Sequence, residues 1–252
     1  TRCHPYVLKE LEAAANPDSE EGLKQFDQLL LKHVGFAMGN TFGALFQGLT
    51  AGVFNSSPVA GETAKYYKQL SRMSKALALS ADISMLMLGG DLKRKEMLSA
   101  RLGDVLSHLY IASTVLKFYE DNGRQVADLP FVHYSIQRNL HEIGRAFAGF
   151  FSNFPSAVVG RLLKTLVFPF GIGYQMPNDD VSMQIADALL KPSVIRDRLT
   201  HLCYLGAGEN DPTGSMEQAF LAVHNAQPLM KKIYAAQKEG KLARKLPLQQ
   251  LI

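Results

Sequence analysis

Along most of the chain, apolar residues recur at alternating intervals of four and three, the spacing that places side chains on one face of an α-helix. The stretch from Lys93 to Asp121 shows this most plainly, with Leu98, Leu102, Val105, Leu109, Ala112, Leu116 and Tyr119 forming one stripe. From Glu62 to Leu88 a second stripe runs through Tyr66, Leu70, Met73, Leu77, Ala81, Ser84 and Leu88. Beside it lies a face of small residues, including Ser74, Ala76, Ala78 and Ser80, against which another helix could pack closely. A third helix, from Phe131 to about Asn153, sets Val132, Ile136, Leu140, Ile143, Phe147, Phe150 and Phe154 inward, and Ser156 to Val167 adds a shorter one. No run shows sustained period-two alternation, so strands are not expected. The pattern predicts an all-α fold, an antiparallel helical bundle with short connections.

Turn residues punctuate these helices. Asn16-Pro17 ends a short helix from Val7 to Ala15, and Asp18 or Ser19 suits the next helix start, which carries Leu23, Phe26, Leu30 and His33. Gly89-Gly90 separates the second stripe from the Lys93 helix, and Asn122-Gly123 closes that helix. After Leu166 the character changes to a loop rich in Pro and Gly, then to four short helices: Asp179 to Leu190, Ser193 to about Leu202, Ser215 to Asn225, and Pro228 to Lys238. The expected organisation is 1–60 as leading helices, 61–170 as the bundle, and 171–252 as a loop-rich tail of short helices.

Val34 to Phe54 stands apart: 21 residues carry no charge, and glycines fall at 35, 39, 43, 48 and 52. Glycines four apart share a face and let another backbone approach closely. The length suits a bilayer span, yet Asn40, Thr41, Gln47, Thr50 and the glycines themselves make the segment less apolar than a typical one. Three readings stand: a close-packed helix or helical hairpin, an interfacial membrane contact, or a true span.

Composition narrows the function classes. At 252 residues, 47% hydrophobic and 20% charged, the chain is globular rather than disordered. The net charge of +4 is mild and mostly dispersed, outside Lys93 to Lys95 and the tail from Lys231, so nucleic-acid binding is not expected. Two cysteines, Cys3 and Cys203, cannot make a disulfide framework, which points to a reducing compartment. The chain opens on Thr without a signal-peptide pattern and reads as a fragment of something longer. The cytoplasm is the expected location, with peripheral contact at the inner membrane through Val34 to Phe54 as the variant.

Candidate chemistry is sparse. Arg101, Asp104 and His108 lie one turn apart, and a carboxylate orienting an imidazole is half of many acid–base devices. No nucleophile is tied to them, so the reading is structural: an ion pair of Arg101 with Asp104 at the helix flank, with His108 a satisfied partner. None of the seven histidines forms a metal-ligand motif, and no metal is expected. Lys93 to Lys95 after Gly89-Gly90 could hold an anion near a helix start, or be a solvated basic edge. Asp82, inside an apolar run, is expected to bond across helices.

Several spaced motifs carry a family resemblance: RCHPYVL from Arg2 to Leu8, LGGDLKR from Leu88 to Arg94, SARLGD from Ser99 to Asp104, and DLPFVH from Asp128 to His133. To these add NFP from Asn153 to Pro155, FPFG from Phe168 to Gly171, and NDPTG from Asn210 to Gly214. In this order they resemble the C-terminal region of bacterial long-chain acyl-CoA dehydrogenases of the FadE type, over nearly the whole chain. The resemblance implies a parent enzyme that uses FAD to oxidise acyl-CoA to trans-2-enoyl-CoA in fatty-acid β-oxidation. It also implies an upstream catalytic domain, a homodimer, and a fold like the extra helical domain of very-long-chain acyl-CoA dehydrogenases, which is tied to dimer geometry and membrane association.

In that superfamily the proton-abstracting glutamate opens a Glu-Gly-x-Asn motif. Glu21-Gly22 and Glu239-Gly240 lack the asparagine, so no catalytic residue carries over and the cofactor-binding residues stay unknown. The leading expectation is therefore a structural, assembly or membrane-docking domain of an FAD-dependent acyl-CoA dehydrogenase. The rivals are an autonomous helical lipid- or membrane-binding module and a free-standing enzyme using Asp104 and His108.

Overall fold

The computed structural model describes residues 5–204, 206 and 211–243. Arg2 to His4 and Asn210 of the motifs above, and the last part of the basic tail, lie outside the described residues. The chain divides into two compact units, Thr1–Asn178 and Asp179–Ile252. Among the described residues there is no strand, as the absence of period-two patterning required.

The first unit contains α1 (Val7–Ala14), α2 (Ser19–Leu49), α3 (Ala64–Leu88), α4 (Glu96–Asp121), α5 (Leu129–Ser152) and α6 (Ala157–Val167). Helix starts follow local chemistry. The Asp18 carboxylate accepts from the backbone N–H groups of Glu20 and Glu21, and Ser156 caps α6 through the N–H of Val159. Pro130 sits in the first turn of α5, where its missing N–H costs nothing. After α4, Asn122 and Gly123 turn the chain, with Gly123 at φ 77°.

The most extensive helix pairing is α4 on α5. Every expected inward residue of α5 is buried, as are all those of α4 except Leu102, which is half-buried. Phe147 and Phe151 stack with centroids 5.4 Å apart, and Phe150 meets Phe154 edge-on at 5.6 Å. Gly160 brings α6 against the end of α5: a Cβ there would collide with the Phe151 carbonyl oxygen. Phe168, in the loop after α6, closes this aromatic core against Phe147 at 5.9 Å.

Helix α3 contacts α2, α4 and α5, so it is buried on more than the one stripe that periodicity marks. Met73 and Ala76 are in the core, and so are Arg72, Leu79, Ser80 and Asp82 from neighbouring faces. Arg72 has no carboxylate partner among the described residues; its guanidinium donates to the Val167 carbonyl at 2.9 Å and lies 5.5 Å from the Phe168 ring. It thereby ties α3 to the C-terminal end of α6, where helix carbonyls concentrate partial negative charge.

The second unit holds α7 (Asp179–Leu189), α8 (Val194–Thr200) and α9 (Pro212–Lys238). Arg196 of α8 makes a forked pair with Glu217 of α9, at 2.9 and 2.5 Å, and its guanidinium stacks 4.3 Å from the Phe220 ring. The two helices expected on either side of Gln227-Pro228 are one, because α9 runs through Pro228 without interruption. Proline removes one N–H and crowds the carbonyl of His224, a penalty the turns on either side outweigh here.

Candidate functional site

The three ionisable residues singled out on α4 are placed apart by its rotation and by its contact with α5. Asp104 is exposed, while His108 turns inward and its Nδ1 lies 2.8 Å from Oδ1 of Asn139 on α5. That amide in turn donates through Nδ2 to the Ser135 carbonyl at 2.7 Å, so its oxygen is the atom facing the imidazole and Nδ1 carries the proton. Arg101 lies over Gly149 of α5, where an added Cβ would sit 2.9 Å from its Nε. Among the described residues no ion pair joins Arg101 to Asp104, and no carboxylate orients His108. The amide of Asn139 fixes the orientation of the His108 ring, and the three residues each face a different environment.

Two polar networks join α3 to its neighbours. At the start of the helix, the Tyr66 hydroxyl lies 2.8 Å from His133 Nδ1 and accepts from Gln137 Nε2 at 3.3 Å, while His133 Nε2 is 3.4 Å from Glu62. Burial pushes the Tyr66 phenol above its ordinary range, the Gln137 bond opposes this, and Glu62 reinforces it. One turn further on, Tyr174 from the loop after α6 donates to Gln69 Oε1 at 2.6 Å, and its carbonyl accepts from His141 at 3.0 Å. Burial raises the Tyr174 phenol as well, with Arg72 pulling in the opposite direction. Both phenols hold their protons and act as hydrogen-bond links between elements. Sequence reasoning missed them because Tyr66 reads as a core position, and Tyr174 sits in a loop 105 residues from Gln69.

A mainly apolar cleft of about 330 Å³ lies among α1, α2 and α3, lined by Leu30, Val34, Ala37 and Ile83 with His33 and Asp82 at its polar side. His33 Nδ1 is 2.8 Å from Glu10, and Tyr6 stacks on the same ring at 5.7 Å. Asp82 is only 8% exposed, as its place in an apolar run suggested. These groups brace α1 against α2 and present no nucleophile. Among the described residues there is no cluster of three or more His, Cys, Asp or Glu able to hold a metal. Glu21 accepts from Gln25, and Glu239 pairs with Lys241 at 2.7 Å, so both rejected Glu-Gly pairs are local surface contacts.

The feature that sets the first unit apart is on α2. From Leu31 the exposed residues Leu31, Val34, Met38, Phe42, Phe46 and Leu49 recur at three and four, nearly opposite the buried side of the helix marked by Ala44, Gln47 and Gly48. Phe42 is 65% exposed, and Phe54, just beyond the helix, is 75% exposed. Gly35 and Gly39 belong to this outer face and have open space where a Cβ would be, whereas Gly48 on the inner side meets the Leu166 carbonyl at 2.8 Å. The charge-free segment is thus one helix continuing to Leu49 and a terminal turn, not a hairpin. No helix of the described residues is long and apolar enough to cross a membrane.

No solved structure matches the chain. The family model described as "Acyl-CoA dehydrogenase, C-terminal, bacterial type" matches residues 1–252. With an all-α fold and that match along its entire length, the chain belongs to the bacterial-type acyl-CoA dehydrogenase C-terminal family.

Proposed function

We propose that this chain is a non-catalytic helical domain that docks, through the outer face of α2, onto the catalytic domain of an FAD-dependent long-chain acyl-CoA dehydrogenase. Family membership implies such a catalytic domain and an acyl-CoA substrate in the parent enzyme. The activity of that parent is oxidation of the acyl-CoA to its trans-2-enoyl product, with electrons passing to the flavin. Neither the mainly apolar cleft among α1, α2 and α3 nor the loop at Gly171 fits a flavin site on its own. The mainly apolar cleft offers the pyrophosphate no cation, and the Gly171-Ile172-Gly173 run lies in an extended loop, not at the start of a helix. The flavin and the proton-abstracting carboxylate therefore belong to the upstream domain, and the leading segment 1–60 packs with it. Residues 61–170 then serve as the bundle and 171–252 as a tail, within a homodimer.

The observation that carries this reading is the apolar stripe from Leu31 to Leu49. Its side chains are large, contiguous and opposite the face α2 already buries, which marks an interaction surface. The open glycines between them let a partner backbone come close. The test is thiol accessibility in the full-length enzyme carrying Phe42→Cys, with its other reactive cysteines, including Cys203, changed to Ser. The docking reading expects the introduced thiol to resist modification without any membrane, and to react once mild denaturant separates the domains. Rapid modification in the native enzyme that vesicles then suppress would transfer the face to a membrane surface and favour the lipid-binding module instead.

A further inference from the structure

We propose that the cleft at the beginning of α4 binds a phosphate group through Arg94, Lys95 and Arg101. This inference is independent of what covers α2. The cleft has a volume of about 530 Å³, and those three cations line it together with Glu96 and Asn153. Arg94 and Lys95 come from the turn after Gly89–Lys93, Arg101 from the second turn of α4, and Asn153 from the end of α5. Residues far apart in the chain thus converge on one recess.

The side chain of Arg101 is set by packing rather than by charge. It is half-buried, and its Cδ and Nε lie over Gly149, within 3.2 and 2.9 Å of where a Cβ would be. Any larger residue at 149 would displace it from α5. Neither Arg101 nor Lys95 is in an ion pair among the described residues, and the one partner of Arg94 is Asp91 at 3.6 Å, with both side chains exposed. Glu96 is the acid in the lining, so three positive charges face one negative.

Two further features act in the same direction. Lys95 caps α4 without a side-chain bond to the first amides, so the positive end of the helix dipole adds to the cations. The Ser99 hydroxyl donates to the Leu92 carbonyl at 2.7 Å, which pins the basic turn to α4. A tetrahedral, multiply charged anion matches two guanidinium forks and an ammonium better than a single carboxylate does. The phosphate could belong to a soluble molecule such as coenzyme A or to a lipid headgroup, and the chemistry at the cleft is the same for both.

Hydrogen exchange of peptides covering residues 92–105, measured in the full-length enzyme, reads this cleft without interference from the catalytic domain. The probes are inorganic phosphate, coenzyme A, and vesicles containing phosphatidic acid, each against chloride at matched ionic strength. The expected result is saturable slowing of exchange in this segment, weakened by added salt, with roughly tenfold weaker binding in Arg101→Gln and a smaller loss in Arg101→Lys, which keeps the charge but not the fork. Slowing by phosphate and coenzyme A supports a soluble source, and slowing by vesicles alone supports a lipid headgroup. If Arg101→Gln lowers the melting temperature, the exposed pair Arg94→Gln and Lys95→Gln gives the same readout without touching α5. No slowing with any probe, or slowing unchanged in these variants, overturns the site.

Discussion

Helices α5 and α2 are both strongly apolar, yet the chain uses them differently. On α5 the apolar residues form one stripe, every member of it is buried by α4, α6 and the loop at Phe168, and the exposed positions are few, such as Arg138 and Arg145. On α2 the inner face packs on α3 and α6, while a second apolar face from Leu31 to Leu49 stands open. A helix whose apolar side chains are all consumed by its own chain is scaffold. One with a second, uncovered apolar face is where the proposed docking would take place.

The sharpest test of this contrast is at the centre of α5. Phe147 is fully buried among Phe151, Phe168 and the α4 stripe, so Phe147→Ala should destabilise the chain by about 3–5 kcal/mol in urea denaturation. A loss under 1 kcal/mol would mean that the aromatic core is not the centre of the fold. Glycines on α2 provide the next test. Gly48→Ala drives a methyl against the Leu166 carbonyl and should cost about 1–3 kcal/mol, whereas Gly35→Ala and Gly39→Ala meet open space and should each stabilise the chain by about 0.5–1 kcal/mol. In the full-length enzyme the sign at 35 and 39 should reverse if a partner backbone lies against that face.

The smallest expected effect concerns the loop that closes the bundle. Burial raises the Tyr174 phenol above the ordinary value of 10.0, so the folded chain holds this proton more tightly than the unfolded chain does. Its contribution to stability is complete below pH 10 and is lost as pH rises through the unfolded and then the folded value. Chemical denaturation from pH 8 to 11 should show a steeper alkaline loss for the parent chain than for Tyr174→Phe. Equal slopes would remove burial of this phenol as the cause.

Much of this was legible in the residues alone. The stripes on α4 and α5, the cap at Asp18, the break at Gly89 and the burial of Asp82 all follow from spacing and turn chemistry, which act over a few residues. The candidate triad did not assemble in the same way, although Arg101, Asp104 and His108 are only one turn apart. Their partners are on α5: Gly149 makes room for Arg101, and Asn139 presents an amide to His108. Spacing along one helix says that side chains are neighbours, not which of them a second helix will draw inward. Pro228 illustrates the same limit, because a local penalty was overruled by the helix on either side.

By itself, then, the sequence determined the all-α class, the position of most helices, the apolar stripe of each and the family to which the chain belongs. These depend on short-range backbone preference and on periodicity, both of which are written residue by residue. The tertiary structure decided which stripes cover one another: that α3 is buried on several faces, that Arg72 reaches the Val167 carbonyl, that Tyr174 closes over Gln69, and that one face of α2 stays open. Burial of apolar area is non-directional, so periodicity states that a face must be covered, and only the packed arrangement names what covers it.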